Sequence, residues 1–217
     1  MGSGGAAAAK ARHCRHAQIR EERRAEAGAE AARRAAIGTL AADELTHYAS
    51  AANGAVYLVI PGALIFLPTP ADDLDSDGPE WADSEAADGR TARRFSPGFY
   101  ASLLADLGVS AVACLGSGSP ATARALHTRG IAAMDLALEA AAAASGGAPL
   151  ASIILALDRL LALAAAAPGA LAVHSGAGAE WPEAVGTLAA AFLIRRFDFG
   201  GAAAVAWLHM LAPWMLQ

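Results

Sequence analysis

From Phe95 onward, short apolar runs alternate with longer stretches that carry helix signals. Pro97–Leu107 predicts a helix, Val109–Leu115 a strand, Pro120–Arg129 a second helix and Ile131–Leu136 a short strand. After an Ala/Gly loop come a long apolar helix, Leu150–Ala167, and a strand, Ala170–His174. A Gly-rich turn then leads to two more helices, Glu183–Arg196 and Gly200–Leu211. Upstream, Val56–Ile60 and Ala63–Leu67 read as two short strands separated by Pro61-Gly62. Short, continuously apolar strands set between helices are strands buried on both faces. The pattern therefore predicts an α/β domain with a mainly parallel central sheet and helices on both faces.

Two segments break this alternation. Residues 1–53 open with a Gly/Ala stretch and continue as an Arg/Glu/Ala segment, read as a helical or disordered extension before a domain spanning 54–217. Met1 to Ala36 holds eight basic and four acidic side chains, a surplus that leaves a weak membrane or acidic-protein contact open. Gly2 and Cys14 invite acylation, but Ala6 replaces the expected Ser or Thr. The second segment is an acidic insertion at about 71–92. Its stretch from Asp72 to Asp88 carries eight carboxylates and no basic residue. Asp73-Leu74-Asp75-Ser76-Asp77-Gly78 approaches a calcium loop, but Ser84 stands where the distal Glu is required, so a solvated insertion is expected.

Composition narrows the function classes. Hydrophobic residues make up 55% of the 217, but much of that is alanine, so the larger aliphatic and aromatic positions should mark the core. Two cysteines, Cys14 and Cys114, build neither a disulfide framework nor a zinc cluster, and an intracellular, reducing compartment is expected. The net charge of −5 argues against nucleic acid as a partner of the whole chain. No apolar run reaches the length of a membrane span without a proline or a charge, and no secretory signal is read at the N-terminus. His47, His127 and His209 lack metal-ligand spacing, and neither a metal nor a cofactor is expected.

In a parallel sheet the ligand site lies beyond the C-terminal strand ends, where a turn feeds a helix N-terminus. The best candidate is the strand Ala170–His174 running into His174-Ser175-Gly176-Ala177-Gly178, whose small residues let backbone N–H groups converge on an anion. Gly116-Ser117-Gly118-Ser119-Pro120 lacks the third glycine and the lysine of phosphate loops and reads as a plain strand-to-helix turn. A serine hydrolase is disfavoured, because His174 and Ser175 are adjacent and Gly-x-Ser-x-Gly is absent.

The run Gly169-Ala170-Leu171-Ala172-Val173-His174 resembles the approach to the phosphate loop of the cell-division-cycle-fourteen family of dual-specificity protein tyrosine phosphatases. The resemblance continues in Gly186-Thr187-Leu188-Ala189, in Ala204-Val205-Ala206-Trp207-Leu208 and in Pro213. Upstream, Ile60-Pro61-Gly62, Tyr100 to Leu115 and Gly130-Ile131 to Asp135-Leu136 follow the family's order. The match spans roughly residues 56–213 and implies a protein tyrosine phosphatase-like fold, with only the catalytic one of the family's two domains.

The departures bear on activity. The family signature is His-Cys-x-x-Gly-x-x-Arg, in which a thiolate attacks phosphorus and arginine clamps two oxygens. Carried onto this chain, the histidine is His174 and the glycine Gly178. The nucleophile position holds Ser175 and the arginine position Trp181. Glu180 and Glu183 add carboxylates where a phosphate dianion would bind, and Pro182 to Val185 lengthen the loop. Ser145 stands near the family's general acid. Glu139 is the nearest remnant acid candidate, and Asp135 matches an earlier family aspartate. The expectation is a pseudophosphatase acting as a binding or scaffold module for a protein partner, with phosphoproteins among the candidates. The alternatives are an active tyrosine/serine/threonine phosphatase with a non-standard loop, and a structural component of a larger assembly.

Overall fold

The computed structural model describes residues 42–74, 78–85, 91–136, 150–175 and 182–212. The chain divides into two compact units, Met1–Leu40 and Ala41–Gln217, and every described element belongs to the second.

Strands β1 (Tyr57–Ile60) and β2 (Leu64–Phe66) form an antiparallel hairpin. β2 runs parallel to β7 (Ala170–His174), β7 to β5 (Val109–Cys114), and β5 to β6 (Ala132–Asp135). The resulting five-stranded sheet has the order β1-β2-β7-β5-β6, with β7 at its centre. All five residues of β7 are buried, so both faces of the sheet are covered. One group of packed helices is α2 (Pro97–Asp106) and α3 (Pro120–Thr128), which lean on β5 and β6. The other is α4 (Leu150–Ala166), α5 (Pro182–Phe197) and α6 (Gly201–Leu211), whose outer members reach β5, β7 and β1. The architecture is therefore α/β with a mostly parallel central sheet and helices on both faces, as the alternation predicts.

Local chemistry sets where the helices begin. Ser96 accepts a hydrogen bond from Phe99 N at 3.2 Å, and Pro97 follows it at the first helical position. Ser119 accepts from Ala121 N at 3.1 Å ahead of Pro120. Each hydroxyl satisfies an N–H that the helix itself leaves unpaired, and proline costs nothing where no N–H is needed. Leu104, Leu160, Leu188, Phe192, Leu193 and Leu208 close over the strands as fully buried side chains. Trp207 is half-buried, and its Nε1 donates to Val59 O at 2.8 Å, occupying a carbonyl of the edge strand β1.

Helix α1 (Ala42–Ala49) and the 3₁₀ turn Ala51–Asn53 belong to the stretch read as an extension, and α1 packs against β1. The connection from this turn into β1 passes Gly54, at φ 107°, a left-handed conformation that suits glycine. The Tyr100 hydroxyl donates to Gly54 O at 2.8 Å inside the core.

The acidic insertion is largely exposed but carries strands that the sequence reading did not give it. It contains β3 (Trp81–Glu85), which pairs antiparallel with β4 (Thr91–Phe95) in a separate two-stranded ribbon. Arg93 pairs with Asp83 at 3.3 Å and lies 3.7 Å from the Trp81 ring centroid. Arg94 grips Asp73 with two bonds of 2.9 Å, and its guanidinium holds the Asp73 carboxyl below the ordinary value. The ribbon is tied to the domain by Ala71 N donating to Phe95 O and by Ser96 N donating to Glu80 O.

Removing the Tyr100 hydroxyl leaves the buried Gly54 carbonyl without its donor. Tyr100→Phe is expected to lose about 1–2 kcal/mol of stability, read as a lower urea midpoint at unchanged slope.

Candidate functional site

The C-terminal ends of β2, β7, β5 and β6 meet along one edge of the sheet, because these four strands are parallel. Leu67 N donates to Val173 O at 3.1 Å, Leu115 N to His174 O at 2.9 Å and Leu136 N to Cys114 O at 2.7 Å. The ladder thus extends past each strand and brings the four following loops together. The sequence places the site here, and the structure gathers His174, Ser175, Asp135, Thr69 and Asp72 at this edge.

Ser175 leaves the end of β7 half-buried, with its Oγ 3.2 Å from Thr69 Oγ1. Thr69 arrives from the loop after β2. Either hydroxyl can be the donor. Asp72 follows three residues later and accepts a hydrogen bond from Thr122 Oγ1, in the first turn of α3, at 3.1 Å. Asp135 ends β6, and its carboxylate lies so close to Gly118 that a Cβ there would collide with it. The β5–α3 turn therefore needs glycine at 118 for a steric reason, and otherwise serves as the strand-to-helix turn that the sequence reading favoured.

His174 is 4% exposed, and its Nδ1 has no hydrogen-bond partner among the described residues. Burial holds the imidazole down at about 4, against an opposing pull from the carboxylates Asp135 and Asp72. The ring is thus neutral at physiological pH, and the charges acting on it are both negative.

Of the residues proposed for the vestigial phosphate loop, His174 and Ser175 are placed at the sheet end. Gly176, Ala177, Gly178 and Trp181 lie outside the described residues, as do Glu180, the remnant acid candidate Glu139 and Ser145. Glu183 is in the first turn of α5, and its side chain is not described. Asp135, read as a family aspartate without an acid's role, stands on the same rung as Cys114 and His174. Thr69 and Asp72 were missed as site residues. Their only local signals were a hydroxyl three residues after β2 and the start of the acidic run. Cys114 is buried, as expected of a small apolar side chain in a central strand. Among the described residues no group of three His, Cys, Asp or Glu is placed to hold a metal ion. No helix among them is long and apolar enough to cross a membrane.

His174 makes stability depend on pH in a definite direction. An unfolded chain takes up a proton near 6.5, whereas the folded site refuses it until about 4. Stability is therefore lost as pH falls from about 6.5 to 4 and levels off below that, by about 3 kcal/mol in all. Urea midpoints measured across this window should fall on acidification in the native chain. In His174→Gln the decline attributable to this step should be missing.

No protein-family model matches the chain, and neither does any curated protein. Solved structures similar to it include a kinase-associated phosphatase with serine substituted for its catalytic-site cysteine. It is 15% identical over 70% of this chain and 77% of that one, with a TM-score of 0.47. Human DUSP28 is similar at 18% identity over 69% and 87%, with a TM-score of 0.40. TpbA of P. aeruginosa, in a cysteine-to-serine form complexed with phosphotyrosine, is similar at 18% identity over 64% and 82%, with a TM-score of 0.41.

Proposed function

We propose that the chain is a catalytically degenerate dual-specificity phosphatase-like domain, of the cell-division-cycle-fourteen kind, that serves as a binding module for a protein partner. One observation carries this reading. At the end of the central strand, where the resembled family attacks phosphate, a serine hydroxyl is hydrogen-bonded to Thr69 and the charges felt by His174 are two carboxylates.

Phosphoryl transfer needs the opposite arrangement. The nucleophile has to be an anion held by a positive environment, and the phosphate oxygens need cationic clamps. A serine hydroxyl beside a neutral imidazole remains protonated at neutral pH. From Ser175 to Ile194 the sequence holds no lysine or arginine, so the phosphate loop itself supplies no clamp. General acid catalysis is worth about 10²–10⁴-fold, and a missing oxyanion donor costs about 10²–10³-fold. With nucleophile, clamp and acid all displaced, turnover should vanish into background.

The test is turnover of an aryl phosphate and a phosphopeptide by the purified chain, beside calorimetry with inorganic phosphate and tungstate. The expected result is no turnover above that of Ser175→Ala and no heat from either anion. A measurable rate that disappears in Ser175→Ala would overturn the reading.

A further inference from the structure

Asp135, Cys114 and His174 occupy one rung across β6, β5 and β7. Side chains on one rung of parallel strands project from the same face. Neighbouring strands lie about 4.8 Å apart, so Asp135 and His174 flank Cys114 at about 10 Å between Cα atoms. Asp72 approaches from the β2 side and is anchored on α3 through Thr122. The Thr69–Ser175 hydroxyl pair lies at the same edge. The two carboxylates only accept hydrogen bonds, and the two hydroxyls and the neutral imidazole can each accept one as well as donate one.

Two independent features show that this acceptor cluster is more than a patch of surface acids. His174 is buried within the field of both carboxylates, yet its Nδ1 has no partner among the described residues. A buried polar atom left without a partner is costly, and such atoms gather where a ligand or a mechanism uses them. In addition, the ion pairs found among the described residues, Arg93–Asp83 and Arg94–Asp73, use other carboxylates. The arginines of the ribbon serve its own acids and leave Asp72 and Asp135 to the sheet end.

We propose that this edge of the sheet is a cation site, and that it receives an arginine or lysine side chain from a basic segment of the protein partner. The inference rests on reading the chain as a binding module, and it names that module's ligand as the charge inverse of phosphate. An arginine guanidinium brings five N–H donors in a planar fork and no acceptor, which complements a site with several acceptors and, among the described residues, no cation paired to its carboxylates. A metal ion is the weaker fit, since the described residues offer no group of three ligands.

The experiment is calorimetry on the full chain with a capped arginine-rich hexapeptide, its citrulline counterpart and a phosphotyrosine peptide of equal length. The arginine peptide should bind and the citrulline peptide should bind at least about tenfold more weakly, the loss expected for charge-assisted hydrogen bonds. Asp72→Asn with Asp135→Asn should weaken the arginine peptide by a similar factor. These amides keep the shape and leave Thr122 an acceptor, and thermal melts would confirm that the variant is folded. Asp83→Asn with Glu85→Gln removes equal charge from the ribbon and should change nothing. Equal affinity for the arginine and citrulline peptides would overturn the proposal. So would equal weakening by this ribbon variant, which indicates attraction to net charge alone, or binding of the phosphotyrosine peptide in place of the arginine peptide. A chain with no phosphatase turnover and no affinity for the arginine peptide would sink the cation site while leaving the degenerate-domain reading intact. Turnover dependent on Ser175 would sink that reading instead.

Discussion

Complete burial of Ala170–His174 is the constraint from which most of this architecture follows. A strand with every residue buried must find a pairing strand on each side, because an unpaired backbone amide away from water costs as much as a lost hydrogen bond. β2 supplies one ladder and β5 the other. Both faces must also be covered by apolar side chains, which forces helices onto each side of the sheet. Even the approach to the strand is tailored. Gly169 N donates to Ser110 Oγ, and Ala170 N donates to Gly108 O, each at 3.0 Å. A Cβ on Gly169 would run into that same Gly108 carbonyl. Only glycine lets the chain enter the sheet at this separation.

Because the strands beside β7 are parallel to it, the same pairing that builds the core also selects the site. Parallel strands end at the same edge, so the residues after β2, β5 and β6 are delivered to His174 whatever their distance in sequence. Thr69 and Ser175 are 106 positions apart and share a hydrogen bond. The acidic ribbon contributes indirectly. Its Arg94–Asp73 grip and its backbone bonds to Ala71 and Ser96 fix the segment that carries Asp72 toward α3.

The parts of this structure legible in sequence are those decided by neighbouring residues. Ala170–His174 reads as a buried strand because it is an unbroken apolar run closed by glycine turns. The helices read from Pro97 and from Pro120 do begin there, because a proline at the first helical position is a local signal and the capping bonds of Ser96 and Ser119 are local too. The ribbon did not read as strands. Trp81–Glu85 is polar and largely exposed, and its pairing comes from cross-strand partners such as Asp83 with Arg93, which no periodicity announces. The candidate site was half legible for the same reason. His174 and Ser175 follow directly from the strand and from the family-like run. Thr69 and Asp72 become site residues only through the β2–β7 register, and the proximity of Asp135 to the histidine only through β5.

The charge at this edge runs against the backbone's own preference. Strand ends that feed helix N-termini offer unpaired N–H groups and a positive dipole end, which together favour anions. Here α3 begins at Pro120, six residues past the end of β5. Side chains have reversed the sign. Thr122 Oγ1, in the first turn of α3, holds Asp72 by a hydrogen bond, and a carboxylate held there opposes a bound phosphate. Asp135 adds a second negative charge across the rung, and the buried neutral His174 adds no positive charge to offset it. An anion reaching the end of β7 would meet two carboxylates, whereas a cation would meet the same groups as ligands. The backbone at this end of the sheet favours an anion, and the proposed cation site rests on the side chains that oppose it.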